Sequence, residues 1–172
     1  ILLDLDTPGG RVDAAERIAD AVRASRIPVY AFVNPRAYSA GALIALSTDG
    51  IYMRAGAVLG AATPVDGQGT KAPEKYVSAM RAEFRALAEE QGLDPRIAEA
   101  MVDESLGAPG LAEPGQLVTL STSEALRVGY AKAEVNTEAE ALAAAGLAGA
   151  TIQLVELNWA ELVVRFLTNP VV

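Results

Sequence analysis

At 172 residues the chain has the length of one domain, long enough to bury roughly 70% of the surface that its extended form would expose. It is 51% apolar but only 5% aromatic, so the core is expected to be built from Ala, Leu, Val and Ile rather than rings. A net charge of −8 disfavours binding to nucleic-acid phosphates or anionic lipid heads, and the absence of His and Cys excludes disulfides, a Ser-His-Asp triad and a Cys-His pair.

Ile1 to Leu5 reads as a buried strand closed by the turn residues Thr7-Pro8-Gly9-Gly10. Val12, Ala15, Ile18, Ala19 and Val22 then fall at helical spacing. Pro28 to Val33 is a second apolar strand, ended by Asn34-Pro35, and Ala40 to Ser47 is a helix rich in small residues. Strand, helix, strand, helix predicts an α/β fold with a parallel sheet and right-handed crossovers. Short strands are expected at Ile51–Met53 and Ala57–Leu59. Residues 61–74 are turn-like and longer than a compact domain usually leaves without purpose, a candidate substrate rim.

Val77, Met80, Phe84 and Leu87 mark an amphipathic helix that stops at Gly92. Asp94-Pro95 is an N-cap followed by proline at the first helical position, opening a helix through Met101. Leu117 to Leu120 is a strand, and Ser121 with Glu124 forms a capping box for a helix ending near Gly129. Helices at Thr137–Ala145 and Trp159–Leu167 complete the pattern. No run reaches the roughly 18 apolar residues of a membrane span. The chain starts inside an apolar strand, without Met, and ends on Pro170-Val171-Val172; it reads as a piece of a longer protein.

Two turns carry the chemistry. Thr7–Gly10 and Ala37-Tyr38-Ser39-Ala40-Gly41 each close a strand and open a helix, and turns after neighbouring parallel strands lie together at the carboxyl edge of a sheet. Free backbone N–H groups and one hydroxyl would then point to one place, as acyl transfer requires. The plainer reading is that Ser39 caps a helix and that Gly9 and Gly10 serve a tight turn. With no His or Cys, serine chemistry here must use a lysine, and there are only Lys71, Lys75 and Lys132. A lysine at the ordinary pKa of about 10.4 is neutral in about 1 molecule in 2,500 at pH 7, so a basic lysine needs burial. Asp4 and Asp6 alternate on a strand and cannot share a proton. No acidic cluster has calcium-loop spacing, so neither a metal nor a cofactor is expected.

Four segments in order, Leu5-Asp6-Thr7-Pro8-Gly9-Gly10, Arg36-Ala37-Tyr38-Ser39-Ala40-Gly41, Gly60-Ala61-Ala62-Thr63-Pro64-Val65 and Leu120-Ser121-Thr122-Ser123-Glu124-Ala125-Leu126, resemble the NfeD membrane-bound serine proteases, or stomatin-operon partner proteins. The resemblance implies a ClpP/crotonase-like fold whose first strands are missing from this chain. It implies Ser39 as nucleophile, Lys75 of Ala72-Pro73-Glu74-Lys75 as general base, and Gly9, Gly10 and Ala40 as oxyanion-hole amides. Gly60, Ala61 and Ala62 are the expected peptide-binding residues, on an Ala57–Val65 edge that a substrate strand could join. Expected partners are hydrophobic peptides, stomatin-like membrane proteins and a second copy of the chain. The parent protein is expected to be a multi-pass membrane protein with this domain, residues 1–157, on the extracytoplasmic side. Residues 158–172 would form an amphipathic juxtamembrane or packing helix.

Two other readings compete. A crotonase-type acyl-CoA enzyme would use similar amides and need a basic pocket, for which Arg36 and Lys71 are available. A silent scaffold would grip hydrophobic tails without cutting them.

Overall fold

Alternation of apolar strands and striped helices in the first 53 residues builds the centre of the molecule, whose computed structural model describes residues 1–155. In chain order β1 (Leu2–Thr7), α1 (Val12–Arg23), β2 (Tyr30–Tyr38), α2 (Ala40–Leu46), β3 (Gly50–Met53) and β4 (Val58–Gly60) are followed by α3 (Glu74–Glu90), α4 (Pro95–Val102), β5 (Thr119–Ser121), α5 (Thr122–Arg127), β6 (Ala133–Glu134) and α6 (Glu138–Ala144). The helix expected at Trp159–Leu167, and the segment boundary at 157/158, lie outside the described residues.

The strands form one sheet in the order β5-β4-β2-β3-β6, with β1 also paired to β2. Every pairing is parallel except β4 with β5, so the sheet is mixed rather than purely parallel. That exception could not be read locally, because strand sense depends on where the chain returns after α4.

Strand β2 sends alternate side chains to opposite faces: Ala31, Val33 and Ala37 join the main core, Phe32 the smaller one. In β3, Ile51 and Met53 do the same against Tyr52. The main core receives Ala15 and Ala19 of α1, Leu43 and Leu46 of α2, and Val77, Phe84 and Leu87 of α3. Small residues on α1 and α2 let these helices lie close to the sheet, as the aromatic-poor composition anticipates. On the other face Phe32 and Tyr52 pack with Val135 and Ala141.

The break expected at Asn34-Pro35 is not a strand end. β2 continues to Tyr38 because its ladder changes partner there, pairing β3 over Tyr30–Val33 and β4 over Arg36–Tyr38. The pairing with β1 is irregular over the same interval, between Leu5/Val33 and Thr7/Ala37. Pro35 therefore sits where no ladder asks for its missing N–H. This continuation carries the chain directly to Ser39.

Candidate active site

The carboxyl ends of β1, β2 and β4 deliver three turns to one place. Thr7 pairs with Ala37, and Tyr38 with Gly60, so the turns after all three strands are neighbours. Contact is close enough to demand glycine. A Cβ on Gly41 would lie 2.5 Å from Thr7 Cγ2, and one on Gly9, whose φ is +124°, would lie 3.0 Å from Ser39 Cβ.

Ser39 is held in a backbone conformation that side chains seldom adopt, φ 51° and ψ −113°. Its N–H donates to Gly60 O at 3.0 Å, and its carbonyl accepts from Ala42 N at 2.9 Å and Leu43 N at 3.2 Å. The backbone is fully engaged, while the hydroxyl makes no cap to α2. Ser39 is therefore no ordinary N-cap; it stands on a strained strand-to-helix turn that holds its Oγ beside Gly9. Ser39 lines a narrow cleft of about 10 Å³, room for little more than one water molecule, together with Gly10, Val12, Ala15, Ala40, Leu43, Ala62, Pro64 and Met80.

The amides divide into two kinds. Gly9 N–H donates to Thr7 Oγ1 at 3.1 Å, whereas the N–H groups of Gly10 and Ala40 have no acceptor among the described residues. Gly60 belongs to β4, which has β2 on one side and β5 on the other, so residues 58–60 present no free edge for an added strand. Ala61 N–H donates to Val118 O at 3.1 Å and Ala62 N–H to Met101 O at 2.6 Å. Of the three, Ala62 lines the cleft and Gly60 and Ala61 do not.

The three lysines occupy very different positions. Lys71 donates to Glu104 at 2.8 Å, and that hydrogen bond holds its ammonium above the ordinary value, fixing the charge. Lys132 lies near Gly50, at the amino end of the parallel strands and so at the opposite edge from Ser39. Lys75 stands in the first turn of α3, exposed, with Nζ 4.7 Å from the centre of the Tyr76 ring. The structure brings Ser39, Gly9, Gly10, Ala40 and Ala62 together, but Lys75 Nζ and Ser39 Oγ are not hydrogen bonded. Lys75 lies about 140° around the helix from Met80, the α3 residue that borders the cleft.

Asp4 and Asp6 do not act together: Asp6 forms a two-point ion pair with Arg36, at 2.8 and 3.2 Å. Arg36 is thus engaged with Asp6, as Lys71 is with Glu104, the two cations that the acyl-CoA reading would call on. No cluster of three or more metal-ligating side chains occurs among the described residues.

Sequence reasoning missed Arg81 and Asp103. Asp103, buried after the end of α4, accepts from Ser105 N at 3.0 Å and Ser105 Oγ at 2.8 Å, and from Arg81. The Asp-Glu-Ser order was a readable turn signal; its partner on another helix was not. Burial pushes the Asp103 carboxyl up, but the Ser105 donors and Arg81 outweigh it and hold the group below its ordinary 3.8. Its contribution to stability is thus complete above the unfolded value and is lost as pH falls through the lower folded one. Asp103→Asn should lower the melting temperature at pH 7 and flatten its decline as the pH falls below about 4, as thermal melts in mild and stronger acid would show.

A mixed α/β sheet with a strained serine turn and unoccupied amides at its carboxyl edge is the layout of a ClpP-like domain. Residues 1–155 match the model of the NfeD1b N-terminal domain, and the chain belongs to that family. It is 42% identical over 173 residues to the membrane protein NfeD1b of Bacillus subtilis strain 168, covering all of this chain and 40% of that protein. It is 38% identical over 114 residues to the membrane-bound protease PH1510 of Pyrococcus horikoshii, covering 62% of this chain and 26% of the relative. The chain thus spans well under half of either curated relative. Two solved forms of the 1510-N membrane-bound stomatin-specific protease share the fold. A serine-to-alanine form has a TM-score of 0.71 and 32% identity over 84% of this chain and 68% of its own. A lysine-to-alanine form in complex with a substrate peptide has a TM-score of 0.79 and 26% identity over 98% of this chain and 83% of its own. The relatives are named as membrane proteins, while no described helix here is long and apolar enough to cross a membrane.

Proposed function

We propose that this chain is the catalytic domain of a serine endopeptidase with a Ser39–Lys75 dyad, cutting hydrophobic segments of stomatin-like membrane proteins. The observation that carries the reading is Ser39 itself: a serine pinned at positive φ, free of capping duty and facing an apolar cleft between unoccupied amides. Relatives of the same fold are named proteases, and the solved forms replace one serine and one lysine, which supports the choice of residue types. Position supports Lys75 over Lys71, which is tied to Glu104, and over Lys132, at the far edge of the sheet.

In this mechanism neutral Lys75 takes the Ser39 proton while Oγ attacks the scissile carbonyl carbon, and the oxyanion is held by the Gly10 and Ala40 N–H groups, with Gly9 joining if Thr7 releases it. Collapse breaks the C–N bond, and the lysinium protonates the leaving amine. Water, deprotonated by the same amine, then releases the acyl group from Ser39. An apolar peptide lying over the first turn of α3 supplies the burial that favours a neutral amine and brings Nζ from the Tyr76 ring to Ser39. Gly60, Ala61 and Ala62 form the wall along which that peptide lies. Residues 1–157 make the catalytic domain, and 158–172 serve as its juxtamembrane or packing segment; self-association and an extracytoplasmic position complete the proposal.

A fluorophosphonate probe should label wild-type protein on Ser39, leave Ser39→Ala unlabelled, and be slowed by a hydrophobic peptide. Tight peptide binding with an unreactive Ser39 would instead establish the scaffold.

A further inference from the structure

Helix α3 carries Lys75 in its first turn, yet Pro73 at its N-cap position offers no side-chain cap. Arg81, farther along the same helix, reaches back to that turn. Its guanidinium meets the buried Asp103 carboxylate with one nitrogen and lies 3.6 Å from Glu74 Oε1, beside Lys75, with another. Asp103 is in turn joined to the cleft. Met101 O accepts the Ala62 N–H at 2.6 Å, and Val102 O accepts from Thr63 Oγ1 at 2.7 Å, so the two residues before Asp103 are bonded to the segment that carries Ala62 on the cleft lining. One side chain therefore links the cleft wall to the residue preceding the lysine.

Stability alone does not account for this arrangement. Val77, Phe84 and Leu87 already seat α3 in the core, and a desolvated ion pair is commonly no better for stability than apolar groups of the same volume. What the pair adds is a tie between α3 and the segment after α4, whose Met101 and Val102 carbonyls hold Ala62 and Thr63.

We propose that Arg81 is a positioning residue, which through Asp103 and Glu74 sets the reach of Lys75 toward Ser39. This rests on the Ser39–Lys75 reading above. A misplacement of about 1 Å in a proton-transfer geometry costs on the order of 100-fold in rate. Arg81→Met keeps the aliphatic stem, and Arg81→Met with Asp103→Asn removes both charges together. In the full chain, kcat for a hydrophobic peptide should fall roughly 10- to 100-fold in both variants, with KM changed less than about threefold. Labelling of Ser39 by the fluorophosphonate should slow in parallel, and Arg81→Lys, which can reach Asp103 but not bridge to Glu74, should recover part of the rate. Wild-type kcat in folded Arg81→Met would overturn the proposal. So would a loss confined to KM, or a loss of rate that matches only a loss of folded protein by circular dichroism. Failure of the dyad itself reads differently: wild-type protein would resist the probe, or Lys75→Ala would cut at the wild-type rate.

Discussion

Alanine at Ser39 or at Lys75 is expected to lower kcat/KM for a hydrophobic peptide by at least about 1,000-fold, with the melting temperature moved by no more than about 2 °C. Ser39 Oγ does not cap α2, so its removal strands no helix-end donor. Lys75 is exposed, and its loss forfeits only a contact with the Tyr76 ring, worth about 0.5 to 1 kcal/mol at such a site. The double variant should be no slower than either single one, since the two groups act as a unit and the amides supply the residual rate. Lys75→Arg separates base from mere cation: a guanidinium remains protonated at any working pH and cannot accept the serine proton. Arginine should therefore be as inactive as alanine. Peptide cleavage followed by chromatography gives all four rates, and a Lys75→Arg enzyme near wild-type activity would sink the general-base role.

How much of this was legible before the structure depends on how local each signal is. The capping box of Ser121 and Glu124 forms with both bonds, and Asp94 caps α4 through the Arg96 N–H, because both devices are complete within four residues. The turns around Gly9 and Ser39 were legible for the same reason. The body of α3 was legible from its buried stripe, Val77, Met80, Phe84 and Leu87, whereas Glu74, Lys75 and Tyr76 at its start are exposed and carry no core periodicity. β6 has two residues, too few for a pattern. The direction of Lys75 and the Arg81–Asp103 pair escaped altogether. Both depend on how α3 rotates against α4, which no short stretch of sequence encodes.

Gly60 and Ala61 are neighbours expected to respond in opposite directions to the exchange of one methyl group. Gly60 has φ +137°, and a Cβ there would lie 2.6 Å from Val118 O and 3.0 Å from Thr119 Cα. The obstruction is backbone at the start of β5 and of Val118 just before it, which cannot swing aside as a side chain would, because Gly60 faces Thr119 in register and Ala61 N–H is bonded to the same Val118 O. Gly60→Ala thus combines an unfavourable φ with a steric overlap, together about 2 to 5 kcal/mol. In a chain of this size that lowers the melting temperature by roughly 10 °C. The acceptor for the Ser39 N–H is the Gly60 carbonyl, so any shift that relieves the overlap also loosens the strained serine turn. Fluorophosphonate labelling of the folded fraction should fall with it. Ala61, at φ 48°, already bears the strain that glycine would not. Ala61→Gly should gain about 0.5 kcal/mol or lose nothing, because relief of the left-handed conformation offsets the added freedom of the unfolded chain. Circular-dichroism melts of the two variants decide the matter: equal melting of Gly60→Ala and wild type would mean that β5 does not press on the turn that holds Ser39.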